Sequence, residues 1–251
     1  MMNNDKAQDL EPVLAANRRA WSKLGAQPGG GRGRPAIESM AARVEHTLLR
    51  ADASPEQVEK LCREAREHRF RSVCVLPRDV AACGELLEDS GVLVVTVVDF
   101  PLAGGGAAGA AAEAARAFAD GAREVDMVAD LRALRSGDPA TARDGVAGVV
   151  EAARGMPVKV ILETGHLDPE GLAAGCAAAE AGGAAMVKTS TGYGPRGASL
   201  EDVRAMRACV GERLGVKASG GIRNRGWAER LVEAGADLIG TSSGPACVAL
   251  T

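Results

Sequence analysis

The sequence predicts an α/β protein, a single (β/α)8 TIM barrel that follows an N-terminal arm. Three observations lead there. The chain has 251 residues, the length at which an α/β barrel closes as one unit. From Glu38 onward, short β-rich apolar runs alternate with longer Ala-, Glu- and Arg-rich amphipathic stretches. Hydrophobic residues make up 46% of the chain and aromatics only 2%, so the core must be built from Ala, Val, Leu and Ile, which suits close packing of helices on a parallel sheet.

Strands are expected at 43–47, 72–76, 92–100, 124–128, 158–163, 185–189, 216–219 and 237–240. The helices between them start at recognisable caps: Ser54 before Pro55, Asp138 before Pro139, Asp168 before Pro169, and Ser199 with Asp202 three residues on. Gly91, Gly121, Gly182 with Gly183, Gly215 and Gly235 fall where those helices should end. Each parallel strand pair needs a crossover helix and closure leaves no exposed sheet edge, so consecutive strand–helix units favour a barrel. The competing doubly wound sheet is weakened because no G-x-G-x-x-G follows the first strand. Residues 1–36 are read as the arm, with one weak helical stretch near 10–24 and a Gly/Pro-rich linker at 27–35. Residues 37–251 are read as the barrel domain.

The net charge of -3 comes from 33 acidic and 30 basic residues that are interleaved, with no single-sign run, so nucleic acid is not an expected partner. The longest apolar stretches, such as 91–98, fall far short of the roughly 20 residues that a membrane helix requires. No basic segment followed by an apolar core opens the chain, so a cytoplasmic location is expected. The six cysteines lack a C-x-x-C pair and only three histidines are present, which points to reduced thiols and no metal site.

In a barrel the loops after the strands form the active site, and here those positions are crowded with polar groups. Lys188, Lys217, Lys159 and Asp126 all interrupt predicted strands. A lysine in a buried strand needs a partner or must lose its proton, and a neutral amine attacks an aldehyde or ketone to give a carbinolamine and then an imine. Lys188 is the expected nucleophile, with burial and the second ammonium of Lys217 acting to lower its proton affinity. The plainer alternative is that each lysine snorkels to solvent or pairs structurally with Glu163 or Asp126. Ser219-Gly220-Gly221 and Gly240-Thr241-Ser242-Ser243-Gly244 follow the last two strands, where glycines and exposed N–H groups can cradle a phosphate; ordinary turns are the alternative. Arg223 is a further phosphate candidate or a solvated helix-start arginine.

With these segments in hand, the chain resembles the deoxyribose-phosphate aldolase family from about His46 to Ser243. The resemblance rests on Val187-Lys-Thr-Ser-Thr-Gly-Tyr193, Val158-Lys-Val-Ile-Leu-Glu-Thr164, Glu124-Val-Asp-Met-Val128, Lys217-Ala-Ser-Gly-Gly-Ile-Arg223 and Ile239-Gly-Thr-Ser-Ser243. It implies a class I, Schiff-base aldolase: a lyase that reversibly cleaves 2-deoxy-D-ribose 5-phosphate to acetaldehyde and D-glyceraldehyde 3-phosphate without metal or organic cofactor. It also implies a homodimer. Lys188 resembles the Schiff-base lysine, Lys217 the activating lysine and Asp126 a member of the proton relay. Lys159, Cys74, Thr191 and Glu45 are supporting residues, and Gly192, Gly220, Gly221, Ser242 and Ser243 would hold the phosphate.

Four positions depart from the family pattern. Glu45 replaces an Asp and is one methylene longer, Asp99 replaces a Gly, Asp130 replaces an Asn, and Arg196 replaces a Gly. Asp99 and Asp130 add carboxylates near the mouth, which could reject the usual phosphorylated acceptor or recognise a different polar one. A Schiff-base enzyme of the same fold acting on a different aldehyde, or a non-catalytic phosphosugar-binding homologue, are the alternatives; the intact lysine pair argues against the second, because binding phosphate does not require a buried amine.

Overall fold

A computed structural model describes residues 10–12, 15 and 40–249. Eight parallel strands close on themselves in sequence order: β1 (Val44–Leu48), β2 (Ser72–Val75), β3 (Leu93–Val98), β4 (Glu124–Val128), β5 (Val158–Ile161), β6 (Met186–Lys188), β7 (Gly215–Ser219) and β8 (Leu238–Thr241). The seam is made by Val44 opposite Ile239 and Glu45 opposite Gly240. His46 braces the same seam from its ring nitrogens, 2.9 Å from Glu64 Oε2 and 3.3 Å from the Thr241 carbonyl.

The strands form where the sequence carries runs of β-branched residues, and they stop where the backbone turns left-handed. β3 was expected to reach residue 100 and β5 residue 163. β3 ends at Val98 because Asp99 takes φ 51°, and β5 ends at Ile161 just before Glu163 takes φ 45°.

Nine helices wrap the barrel among the described residues: α1 (Pro55–His68), α2 (Val80–Leu86), α3 (Gly106–Ala119), α4 (Leu131–Arg135), α5 (Pro139–Ala152), α6 (Pro169–Ala181), α7 (Leu200–Val210), α8 (Arg225–Ala234) and α9 (Gly244–Val248). The expected caps are present. Ser54 and Gln57 form a capping box on α1, while Asp138, Asp168 and Ser199 accept backbone N–H groups at the starts of α5, α6 and α7. Two expected helix ends are wrong: α2 stops at Leu86, well before Gly91, and α7 stops at Gly211, while Gly215 instead opens β7, where the Met186 side chain fills the space that a Cβ would need. The short helices α4 and α9 lie outside the sequence expectation.

The core lies between sheet and helices rather than inside the barrel. Val58, Leu61, Cys62 and Ala65 recur at i, i+3, i+4 and i+7 to give α1 its buried face. α6 buries a nearly continuous run of alanines, which permits close helix approach. Inside the barrel the apolar side chains are few: Leu49, Cys74, Val95 and Val97 cluster together, and Val128, Ile161 and Leu238 share the inward register of the lysines. Charged side chains take up the remaining space. Of the predicted arm, only Leu10, Glu11, Pro12 and Ala15 are described, and Leu10 is buried; the linker and the boundary at 36/37 lie outside the described residues.

Candidate active site

Strand register dictates which charges meet. Asp126 lies opposite Lys159 across β4 and β5, and Lys188 lies opposite Lys217 across β6 and β7. Neighbouring residues in register point the same way, so all four enter the barrel interior. Glu45 joins them from β1 and Glu124 from the start of β4. Glu45, Asp126, Lys159 and Lys217 are 0% exposed and Lys188 is 2% exposed.

The hydrogen bonds form one network. Lys188 Nζ donates to Asp126 Oδ2 at 2.8 Å, and Lys217 Nζ donates to the same oxygen and to Glu45 Oε1. Lys159 Nζ donates to Asp126 Oδ1 at 2.9 Å and lies 2.8 Å from Glu124 Oε2 and 3.4 Å from Glu45 Oε2. Ser72 Oγ donates to Glu45 Oε2 at 3.2 Å. A Cβ on Gly240 would lie 3.0 Å from Lys217 Cε, so this glycine leaves room for the lysine stem.

The electrostatics differ from a bare lysine pair. Burial works against the charge of Asp126, but Lys159, Lys188 and Lys217 outweigh it and hold the carboxyl well below its usual range. Burial likewise opposes the charge of Glu45, and Lys159 and Lys217 overcome it. Lys217 is not a depressed, repelling neighbour: burial alone would lower its proton affinity, yet Asp126 and Glu45 raise it above the ordinary value. The expected repulsion between Lys217 and Lys188 is therefore mediated by the shared Asp126 oxygen.

This arrangement makes stability depend on pH at both ends. Glu45 and Asp126 are lowered from ordinary values of 4.5 and 3.8, so their stabilisation is complete above those values and is lost as pH falls through the depressed ones. Lys159 and Lys217 are raised from 10.5, so their contribution is complete below that value and is lost as pH rises through the raised ones. Urea midpoints measured against pH should form a plateau from about pH 5 to about pH 10 and fall on both sides. A midpoint that stays flat below pH 4 would contradict the ion-paired cluster.

Cys74 lies beside these carboxylates, and its Sγ, Glu45 and Asp126 offer donor atoms within 4.8 Å of one another. The set suits a cation poorly. Both carboxylates are engaged by ammonium groups, and burial, with Glu45 and Asp126, pushes the Cys74 thiol up to about 12.

Above the lysines, the loop after β6 is fixed by backbone and carboxylate contacts. Glu163 does not pair with a lysine; its Oε2 accepts from Thr191 Oγ1 and from Thr191 N, the latter at 3.0 Å, and Thr191 Oγ1 accepts from Tyr193 N at 3.0 Å. Tyr193 then reaches across the mouth: its hydroxyl donates to the Leu49 carbonyl at 2.8 Å, and its ring meets Phe100 edge-on at 5.6 Å. Gly192, Gly220 and Gly221 have φ of 90°, 89° and 74°, and Ser242 and Ser243 follow β8. Ser243 N already donates to Thr241 Oγ1 at 2.9 Å. Arg223 is exposed.

The loops after β6 and β7 touch backbone to backbone. Ala198 N donates to the Ser219 and Gly220 carbonyls at 3.0 and 3.2 Å, and a Cβ on Gly197 would fall 2.2 Å from the Gly220 oxygen. Gly197→Ala should thus displace Gly220 and raise KM for a phosphorylated substrate about tenfold or more, with a smaller change in kcat. An unchanged KM would disprove that coupling.

The departures have structural causes. Asp99 Oδ1 accepts from Gly105 N at 2.7 Å, closing its own loop, and Asp130 Oδ1 accepts from Ala133 N at 2.9 Å, capping α4. Each of these carboxylates thus has one oxygen turned to a backbone N–H of its own loop. Arg196 pairs with Asp202, which also accepts from Thr164 Oγ1 at 2.9 Å. Sequence reasoning missed Arg71 and assigned no role to Glu124 or Ser190, and it read Gly240 as part of a phosphate cradle rather than as room for the Lys217 stem. Glu124 was accessible from the two-residue period that places it on the same face as Asp126. Ser190 Oγ is buried without a hydrogen-bond partner in the segment after Lys188.

A closed barrel that gathers buried lysines and carboxylates about the end of β6 has the make-up of an aldolase that works through a lysine amine. Residues 36–247 match the sequence model of the family described as DeoC/LacD family aldolase, and the chain belongs to that family. A deoxyribose-phosphate aldolase of Brevibacillus brevis is 49% identical over 205 residues, covering 82% of this chain and 93% of the relative. One from Thermotoga petrophila is 43% identical over 235 residues, covering 94% and 93%. The solved structure of the tetrameric deoxyribose phosphate aldolase from Aeropyrum pernix superposes with a TM-score of 0.79 at 33% identity, covering 94% of this chain and 95% of that one. No helix among the described residues is long and apolar enough to cross a membrane.

Proposed function

We propose that this protein is a class I aldolase that reversibly cleaves 2-deoxy-D-ribose 5-phosphate to acetaldehyde and D-glyceraldehyde 3-phosphate. The observation that carries the reading is Lys188 Nζ, buried at the end of β6 and held 2.8 Å from Asp126 Oδ2, in a chain whose relatives bear that activity. In the cleavage direction the Lys188 amine attacks C1 of the open-chain sugar, and loss of water gives an imine. Proton removal from the C3 hydroxyl then breaks the C2–C3 bond, releasing glyceraldehyde 3-phosphate and leaving an enamine. Protonation at C2 and hydrolysis return acetaldehyde and the free lysine.

The neighbouring residues divide the proton handling. Lys217, raised above its ordinary value by Asp126 and Glu45, is an ammonium beside Lys188 and can donate the proton that expels water from the carbinolamine. Asp126, held well below its usual range, stays anionic and orients both amines. Lys159 and Glu45 fix Asp126 and Lys217 in turn, Cys74 fills space as a neutral thiol, and Thr191 ties the covering loop to Glu163. Gly192, Gly220, Gly221, Ser242 and Ser243 hold the phosphate through N–H and hydroxyl groups. The protein should be treated with acetaldehyde and borohydride and digested for mass spectrometry. A reduced two-carbon adduct is expected at Lys188, and its absence would overturn the proposal.

Residues 1–36 form an accessory arm and 37–251 the catalytic barrel. The six cysteines, all free thiols, suit the reducing cytoplasm. The tetrameric relative from Aeropyrum pernix supports self-association, and light scattering of the purified chain would test whether the assembly is a homodimer.

A further inference from the structure

The lysine cluster does not end at the active site. It continues toward the opposite, amino-terminal end of the barrel through Glu124, the first residue of β4, to Arg71, which immediately precedes β2. Arg71 grips both oxygens of Glu124, one by Nη1 at 3.0 Å and the other by Nη2. Lys159 must share Glu124 Oε2 with Arg71 and leans on Asp126 and Glu45 as well.

The charges do not balance. With every lysine protonated, Lys159, Lys188, Lys217 and Arg71 set four cations against Glu45, Asp126 and Glu124. The arginine keeps its proton, so the surplus falls on the lysines. Lys159 has three carboxylate neighbours and Lys217 two, whereas Lys188 has one. Lys188 is the amine with the fewest carboxylates beside it.

We propose that the Arg71–Glu124 ion pair is a positioning pair that sets the protonation of Lys188 from the far end of the barrel, by withholding a carboxylate that the lysines would otherwise use in full. Without Arg71, Glu124 serves Lys159 alone, Lys159 draws less on Asp126, and Asp126 stabilises the Lys188 ammonium more strongly. Without the Glu124 charge, the surplus grows and Lys188 sheds its proton more easily. The groups facing Lys188 are Asp126 from β4, Lys159 from β5, Lys217 from β7, Glu45 from β1 and Cys74 from β2. Arg71 faces Glu124, with Glu45 and Asp126 beyond it, and Arg66 and Arg69 line the same outer groove.

This inference rests on Lys188 being the Schiff-base lysine, and one measurement separates the two. The rate of acetaldehyde trapping at Lys188 by cyanoborohydride is followed against pH in the full chain. Arg71→Gln should move the midpoint up by about half a pH unit or more, slowing trapping about threefold below the midpoint. Glu124→Gln should move it down, and Arg71→Lys, which keeps the charge, should leave it in place. If one substitution prevents folding, the other two carry the test. Adduct formation with midpoints that stay fixed, or that move the same way in both glutamine variants, would overturn this proposal alone. No adduct in the unaltered protein at any pH would instead overturn the assignment of Lys188.

Discussion

Replacing Lys188 by methionine is expected to lower kcat/KM for deoxyribose 5-phosphate cleavage by roughly 10^4-fold or more, a loss of about 5.5 kcal/mol of transition-state stabilisation. Methionine keeps an unbranched stem of similar length but has no amine, so neither carbinolamine nor imine can form. The barrel should survive, because the change leaves Asp126 with two of its three ammonium partners, Lys159 and Lys217. Steady-state cleavage and a thermal melt on the same preparation check both halves. Retention of more than a tenth of the activity by a folded Lys188→Met protein would sink the Schiff-base reading, and activity loss through unfolding would show in the melt.

Asp126→Asn is expected to damage stability and activity together. The carboxylate is 0% exposed and receives all three lysines. An amide keeps the shape but removes the charge, leaving three buried amines to share Glu45 and Glu124. Removing one partner of a buried ion pair costs about 3–5 kcal/mol. At about 2–4 °C per kcal/mol for a chain of this size, Tm should fall by roughly 10 °C. Trapping at Lys188 should persist, since the nucleophile remains, while turnover falls because Lys217 keeps Glu45 but loses the shared carboxylate that ties it to Lys188. A variant as stable as the parent would show that the lysines do not depend on Asp126.

The barrel was legible because its signals are local. Runs such as Leu93–Val98 and Val158–Ile161 are rich in β-branched residues, and Ser54, Asp138, Asp168 and Ser199 announce their helices through side chains only three residues from their partners. Lys188, Lys217, Lys159 and Asp126 were legible as buried charges in strands. Pairing with Asp126 was among the sequence's alternatives, but pairing with Glu45 was not, because Lys217 meets Glu45 only after the chain has travelled 172 residues and the barrel has closed. The Arg71–Glu124 pair was hidden for the same reason. Asp99 and Asp130 were legible as extra carboxylates, but the backbone N–H groups of Gly105 and Ala133 that they accept from depend on how each loop folds.

Tyr193 is the only tyrosine in the chain, and it hydrogen-bonds from the loop after β6 to the backbone after β1. A single phenol at the entrance gives the protein an internal spectroscopic reporter. Biosynthetic incorporation of 3-fluorotyrosine yields one fluorine site, and its NMR signal distinguishes a bridged entrance from an open one without any added label. Tyr193 lies five residues after Lys188 on the same segment, so a change in that signal on adding aldehyde would report whether the loop moves as the imine forms.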